Sequence, residues 1–273
     1  MTDIPANAPH APTPVVAMPF RGGGFEIAPR PATAASSLLV LLGAWEAASH
    51  FGLVSDLFLP SPVAVAAALY KIAADGTLWL HLSASLTRIL GGWTLGTACG
   101  LLLGLGMGIF SAVRAAGLPL VSALFPIPKI ALLPLLILWL GIGEQAKIAT
   151  IALGVFFPTA ITAFSAVDAV PRNLIRMAQS FNLPWGSIVL KVILPGALPG
   201  ILAGFRITAA IALILMVAAE MIATQHGIGA FLLEAGNLLR VDQLLAGVAV
   251  LSILGLVISF VLSRFERRLL RWR

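Results

Sequence analysis

Five side chains that ionise stand inside otherwise apolar runs of this sequence: Glu46, Arg88, Lys129, Arg206 and Glu220. A charge in a hydrocarbon interior is costly enough that such residues are functional candidates by default, as buried ion pairs or as contacts for a charged solute. Arg206 and Glu220 stand 14 residues apart, and since about 3.6 residues make a helical turn, one helix carries both on a single face. Ala209, Ala210, Leu213, Met216 and Val217 lie between them. That face is a candidate translocation path. Lys129 and Arg206 would help an anion leave at one end, Leu213 and Met216 would supply adaptable apolar lining, and Glu220 would form a gate or a structural ion pair at the other. In the competing reading Lys129 and Arg206 simply extend toward lipid headgroups, as basic residues near helix ends do. Nothing in the spacing selects partners for Glu46 or Arg88.

Other chemistry finds little support. Neither H-E-x-x-H nor G-x-S-x-G occurs, and His10, His50, His81 and His226 are scattered without the spacing of metal ligands. No G-x-x-x-x-G-K-[ST] occurs either, so phosphate chemistry would have to come from another chain. Cys99 is the single cysteine, which excludes a disulfide within the chain. No catalytic residue, metal ligand or cofactor of the chain's own is expected.

Composition indicates which elements must hold these groups. Of 273 residues, 59% are hydrophobic and 10% charged, with mean hydropathy +1.02, whereas soluble domains carry about a quarter charged residues. The expectation is an all-α, polytopic membrane bundle. Apolar runs at about 37–54, 82–110, 118–140, 147–167, 199–224 and 243–263 predict six transmembrane helices, each near the ~20 residues a span requires. A helix satisfies its own backbone in lipid, and no run alternates with the period of a barrel strand. Residues 1–35 contain seven prolines and a run of glycines from Gly22 to Gly24, too little apolar surface to offset the entropy of ordering, and are expected to be a disordered cytoplasmic tail. The first apolar run starts too far into the chain for a signal peptide and is expected to stay as an anchor. The membrane domain is then 36–265, followed by a basic cytoplasmic tail, 266–273.

With the N-terminus inside, eleven Lys and Arg fall in cytoplasmic pieces, and only Lys71, Lys147 and Arg240 fall outside. That asymmetry predicts a membrane protein with both termini in the cytoplasm. Net charge is +6 and the pI 10.4, yet the basic residues sit at span ends without interleaved aromatics, so nucleic acid is not an expected partner. Gly92, Gly96, Gly100, Gly104 and Gly108 recur every fourth position, a stripe along which another helix backbone can approach closely. Pro126, Pro128 and Pro134 predict a kinked or partly unwound third segment. Short amphipathic helices are expected in the outer connections, about 55–81 and 225–242, either as docking surfaces or as lids over the bundle.

Between Ala169 and Pro199 the cytoplasmic connection is far longer than the roughly 2 to 8 residues of a helix hairpin loop. Leu174, Ala178 and Phe181 at i, i+4 and i+7, with Arg176, Gln179 and Ser180 among them, predict a short amphipathic helix. After a turn at Asn182, Leu183 and Pro184, the residues Trp185, Ile188 or Val189, and Val192 predict a second, ending at Pro195. Each is shorter than the ~12 residues at which an isolated helix holds itself. Each therefore needs a packing partner, part of which is expected outside the chain.

This connection resembles the signature of permease subunits of bacterial ABC importers, in which Glu-Ala-Ala, three residues, Gly, nine residues and Ile-x-Leu-Pro occur in order. Val192, Ile193, Leu194 and Pro195 match the tail, Asn182 stands at the glycine, and Arg176, Met177 and Ala178 stand at Glu-Ala-Ala. Asparagine tolerates positive φ well enough to keep the turn, while Arg176 in place of the acid alters the surface offered to a partner. "FLPSPVAVAAAL" (58–69), "HLSASLTRILGGWTLGTACGLLLGLGMG" (81–108), "LLPLLILWLGIGEQAKIATIALGVFFP" (132–158) and "LPGALPGILAGFRITAAIALILMVAAEMI" (194–222) extend the likeness to the nitrate, sulfonate, taurine and bicarbonate branch, over roughly 36–265.

The resemblance implies the type I ABC importer permease fold with cytoplasmic coupling helices. It also implies a homodimer or a second permease chain, two cytoplasmic ATPase subunits that bind ATP and Mg2+, and a periplasmic or extracellular solute-binding protein. Arg176, Met177, Ala178, Phe181, Asn182, Pro184, Trp185, Leu194 and Pro195 would then form the element that takes up the ATPase's motion, in a loop spanning 169–198. The alternative function is a secondary transporter or channel without an ATPase, which would show two related halves with helices broken at the midplane. No such duplication is visible.

Overall fold

The computed structural model describes residues 31–55 and 57–271, and among them all regular structure is helical. The chain divides into two units, residues 1–44 and 45–273. In the first, the described residues belong to α1 (Pro31–His50). The expected tail lies outside the described residues up to position 30, but its last five residues, 31–35, form the first turns of α1. Pro31 explains the early start, since proline's fixed φ suits the first helical position and its missing N–H would have no partner there anyway.

The second unit continues with α2 (Pro62–Ala74), α3 (Thr77–Ile109), α4 (Ser111–Leu124), α5 (Leu133–Leu140), α6 (Glu144–Asp168), α7 (Arg172–Ser180), α8 (Trp185–Ile188), α9 (Leu194–Ala223), α10 (Ile228–Asn237) and α11 (Val241–Leu269). A 3-10 turn (Lys129–Leu132) leads into α5, and a π turn (Val189–Ile193) joins α8 to α9. Among the described residues, four helices are long and apolar enough to cross a membrane, or five if the bent pair Ser111–Leu124 and Lys129–Leu140 counts as one span.

Packing follows the glycine stripe. Gly92 abuts Ile151, Gly96 abuts Ala152, Gly100 abuts Phe156 and Thr159, Gly104 abuts Ala160, and Gly108 abuts Val167. Both number series rise together, so α3 and α6 run parallel. A chain that descends through α3 and descends again through α6 must return between them, which requires α4, the bend and α5 to climb the full height of the bundle. The expected kink is there, an 86° bend at the break after Leu124, where Pro126 and Pro128 cannot continue a helical ladder. Gly200 against Ala166 and Gly204 against Thr162 show α9 running antiparallel to α6. Between these helices Ile89, Ile151, Val155, Ala212, Met216 and Leu254 form a shared apolar core.

Three expected boundaries move. The segment read as helix, turn, helix and stop does not stop at Pro195: Trp185 to Ile222 is one 38-residue helical path. Pro195 lies in the first turn of α9, where its missing N–H costs nothing, and the π turn before it absorbs the mismatch in the ladder. The connection therefore ends near Pro184 rather than at 198. At the C-terminus, residues 266–269, assigned to a tail, extend α11 instead, with Arg267 and Arg268 in its last turn. Cations there are favoured by the helix dipole. At the start of α3, Asp75 Oδ1 accepts the Thr77 N–H at 2.9 Å, and that bond holds the carboxyl below the usual carboxylate range.

Candidate coupling face and the buried charge cluster

The two ends of the bundle differ in kind. One carries the end of α3, α7, α8 and the end of α11. There α7 closes with Asn182 at φ +57, the Asn182 N–H donating to the Gln179 carbonyl at 2.8 Å and the Leu183 N–H to the Ala178 carbonyl at 3.2 Å. This is a Schellman closure with asparagine in the left-handed position, the turn expected at that residue. Pro184 then starts α8, and the Trp185 ring packs on Phe110 with centroids 5.4 Å apart.

The face of α7 was only half legible. Ala178 turns inward, 4% exposed, but Leu174 and Phe181, assigned to the same packed face, are exposed, Phe181 by 74%. Leu174, Met177 and Phe181 make an outward apolar stripe at i, i+3 and i+7, edged by exposed Arg172, Arg176 and Lys191. Leu194 and Pro195 lie behind it, half-buried at the start of α9.

At the opposite end stands a cluster that sequence reasoning saw only in fragments. Arg88 on α3, 2% exposed, donates from Nε to Glu144 Oε2 at 2.5 Å and from Nη2 to Glu144 Oε1 at 2.7 Å. Its Nη1 donates to Glu220 Oε1 at 2.7 Å and to the His226 carbonyl at 2.6 Å. Glu220 also accepts from Ser85 Oγ at 2.8 Å and from the Gly229 N–H at 2.9 Å. The Ser85 oxygen in turn takes the Ile228 N–H, 2.9 Å away, and His81 Nδ1 lies 3.0 Å from the Gly227 nitrogen. Lys147, itself buried, reaches Glu144 at 3.4 Å. Gly227 sits at φ +134, and a Cβ there would run into the Glu220 carboxyl and the Arg88 guanidinium.

Four elements meet in this cluster: α3, the start of α6, the end of α9 and the loop into α10. The arrangement can lock helices together but offers no nucleophile beside a base and, among the described residues, no group of ligands for a metal. Glu144, Lys147, Ser85, Gly227 and Gly229 were not singled out from the sequence. The available signals were Glu144 and Lys147 at i, i+3 and the two glycines of "HGIG" behind a buried-run glutamate.

A family model described as the binding-protein-dependent transport system inner membrane component matches residues 96–272. The chain belongs to this family. It is a multi-pass transport permease rather than an enzyme, of a family that works with ATPase subunits and a binding protein. Its sequence is 40% identical to the taurine transport system permease protein TauC of Escherichia coli (strain K12) over 241 residues, 86% of this chain and 88% of that one. It is 33% identical to the putative aliphatic sulfonates transport permease protein SsuC of Bacillus subtilis (strain 168), over 86% of this chain and 85% of the relative. In fold it is similar to a chain of the MetNI methionine ABC transporter in an inward-facing conformation, with TM-score 0.59 and 24% identity over 68% of this chain and 93% of that one.

The permease does not assemble the expected path stripe. Met216 and Glu220 are buried within the protomer, Met216 in the apolar core and Glu220 in the charge cluster. Leu213 packs against that core. Arg206 lies on an exposed face and pairs with Glu266 of α11. A separation of four turns on α9 thus puts its two charges in unlike surroundings, because different helices cover the two ends.

Lys129 also departs from its expected role. Its Nζ donates to the carbonyls of Leu124, Phe125 and Ile127 at 2.8, 3.1 and 2.6 Å and stands 4.7 Å from the Phe157 ring centroid. An ammonium has three N–H groups, and all three are engaged by carbonyls at the bend, of which that of Leu124 also accepts the Ile127 N–H at 3.3 Å. Lys129 therefore caps the break in the permease's bent segment rather than waiting for an anion. Lys129→Met should lower stability by about 2 kcal/mol, the scale of hydrogen bonds to a charged group, read as a shifted urea midpoint in mixed micelles. An unchanged midpoint with reduced uptake would return Lys129 to anion transfer.

Proposed function

We propose that this permease is the transmembrane subunit of an ATP-driven importer for small organic anions of the sulfonate class, taurine among them. It would be driven through α7 and α8 by a separate ATPase that binds ATP and Mg2+. The observation that carries this reading is the exposed apolar stripe of α7 beside Trp185, at the foot of one unbroken helical path that reaches Glu220. A partner that grips the stripe moves a rod, and the rod's far end is tied through Glu220 and Arg88 to α3 and α6. The substrate class is supported by the names of the relatives that match most of the chain.

Charge distribution supports the orientation. Among the described residues Arg114, Arg172, Arg176, Lys191, Arg264, Arg267, Arg268 and Arg271 gather at the α7 end, while Lys71, Lys147 and Arg240 stand at the other, so the α7 end faces the cytoplasm. With α1 as a first span, six helices cross and both termini lie inside, and 36–265 forms the permease domain. Two copies of the chain would enclose the translocation path. The solute-binding protein would dock on the outer end, where α2 and α10 lie.

Phe181→Glu tests the coupling. Phe181 is 74% exposed and has little inward packing to lose, so the variant should assemble normally yet retain about a tenth or less of the ATPase on co-purification, the scale of losing a buried aromatic anchor at an interface. Taurine uptake by proteoliposomes with ATPase and binding protein present should fall in step. Wild-type ATPase retention and uptake in Phe181→Glu would refute the coupling face. Normal coupling with no sulfonate transported would refute the substrate class alone.

A further inference from the structure

We infer that the groove between α9 and the last turns of α11 binds an anionic phospholipid, with the phosphate on Arg206 and Arg267 and an acyl chain along Leu256 and Phe260. The groove holds about 510 Å³, and Leu256, Phe260, Ser263 and Arg267 line it from α11, with Arg206 from α9 and Glu266 beside it. Steps of four, three and four residues place those α11 side chains on one helical stripe. Along that stripe the chemistry passes from exposed apolar carbon to a hydroxyl and then to a guanidinium. A phospholipid carries the same gradient from chain to phosphate, and basic pockets between membrane helices recognise anionic headgroups.

Arg206 is held in place rather than free to extend at random. One guanidinium nitrogen, Nη2, donates to Glu266 Oε2, while the side chain remains 44% exposed, so other N–H groups stay open to a phosphate oxygen. A planar guanidinium fits two such oxygens at once. Arg206 pairs with Glu266, and Arg264, Arg267, Arg268 and Arg271 follow along and just past the last turns of α11, where Glu266 is the one acid between positions 264 and 271. That excess of positive charge also argues against a second copy of the chain in the groove, because a two-fold contact would set these arginines against their own counterparts.

The inference rests on α11 lying in the membrane and is independent of the substrate and of the coupling face. The test is native mass spectrometry of the permease, purified with its partner subunits, from nanodiscs with equal phosphatidylglycerol and phosphatidylcholine. Wild type should retain phosphatidylglycerol about tenfold over phosphatidylcholine, and Arg206→Gln/Arg267→Gln should bring the ratio to about one, as expected when charge carries recognition. Arg206→Lys/Arg267→Lys, which keeps both charges, should preserve most of the preference and so separates loss of the site from loss of folding. No preference in wild type, or one that survives the double Gln variant, overturns the inference. So does high-yield disulfide dimerisation of Phe260→Cys in a Cys99→Ser background, which would place a second copy there. Failure of the coupling-face reading, by contrast, shows as ATPase retained by Phe181→Glu and leaves the lipid ratio of the arginine variants unaffected.

Discussion

Arg88→Met should destabilise the permease by about 3 to 5 kcal/mol, the cost of breaking a buried ion pair from one side. Against a typical net stability of about 5 to 15 kcal/mol, that is enough to reduce the folded yield severely. The size follows from what is left behind. Glu220 has a side chain that is 0% exposed, so without Arg88 its carboxylate keeps only the Ser85 hydroxyl and the Gly229 N–H against the full penalty of burial. Replacing both partners removes the orphaned charge, so Arg88→Met/Glu220→Gln should recover a large part of the loss. Glu144→Gln should cost far less, about 1 kcal/mol or below, because the Glu144 side chain is 52% exposed and water screens its pairing. Urea midpoints of wild type, Arg88→Met, Glu220→Gln and the double variant in the same mixed micelles give the cycle, with Glu144→Gln measured beside them. If Arg88→Met and Glu144→Gln lose the same amount, the cluster is not the lock described.

Gly96→Ala should cost about 2 to 3 kcal/mol, at the upper end for overpacking an interface, while Gly91→Ala on the same helix should be neutral or stabilising by about 0.5 to 1 kcal/mol, the helix-propensity gain of alanine. The two sites share a helix and differ in what a methyl group would meet. At Gly96 it collides with the Ala152 carbonyl oxygen and backbone of α6, atoms that cannot rotate away. At Gly91 its nearest neighbour is the Ile148 side chain at 3.5 Å, ordinary van der Waals contact. Lipid tails are as apolar as leucine, so no hydrophobic drive compensates for holding α3 and α6 further apart. The relative fraction of monodisperse permease after mild detergent extraction ranks the variants, and a Gly96→Ala that behaves like Gly91→Ala would mean that α3 and α6 do not pack along this stripe.

How much was legible depended on whether the information is local. The glycine stripe predicted a close helix contact, and α6 supplies it. Asn182 predicted a turn needing positive φ, and it has one, because that preference belongs to a single residue's backbone. Pro126 and Pro128 predicted the bend for the same kind of reason. On α7 periodicity identified an apolar face and a partner was expected partly outside the chain, but the pattern could not say that Ala178 would be covered by the chain itself while Leu174 and Phe181 stay exposed. At Pro195 a stop was expected from proline's missing N–H, but a preceding π turn makes the residue a first-turn proline, and nothing in the local pattern announces that turn.

The charges show the limit most clearly. The sequence by itself determined that Arg88 and Glu220 were buried in apolar surroundings and required explanation, since the cost of a charge in such a run is a property of the run. It also determined the helical class and the asymmetry of basic residues, which arise from composition summed over local windows. Only the tertiary structure decided that Arg88 joins Glu144, 56 positions away, and Glu220, 132 positions away, while Arg206 on the same helix as Glu220 pairs with Glu266 instead. Partner choice depends on which helices lie side by side and in which direction they run, and that is settled by the close fit of α3 on α6 and of α9 against both, not by any spacing along the chain.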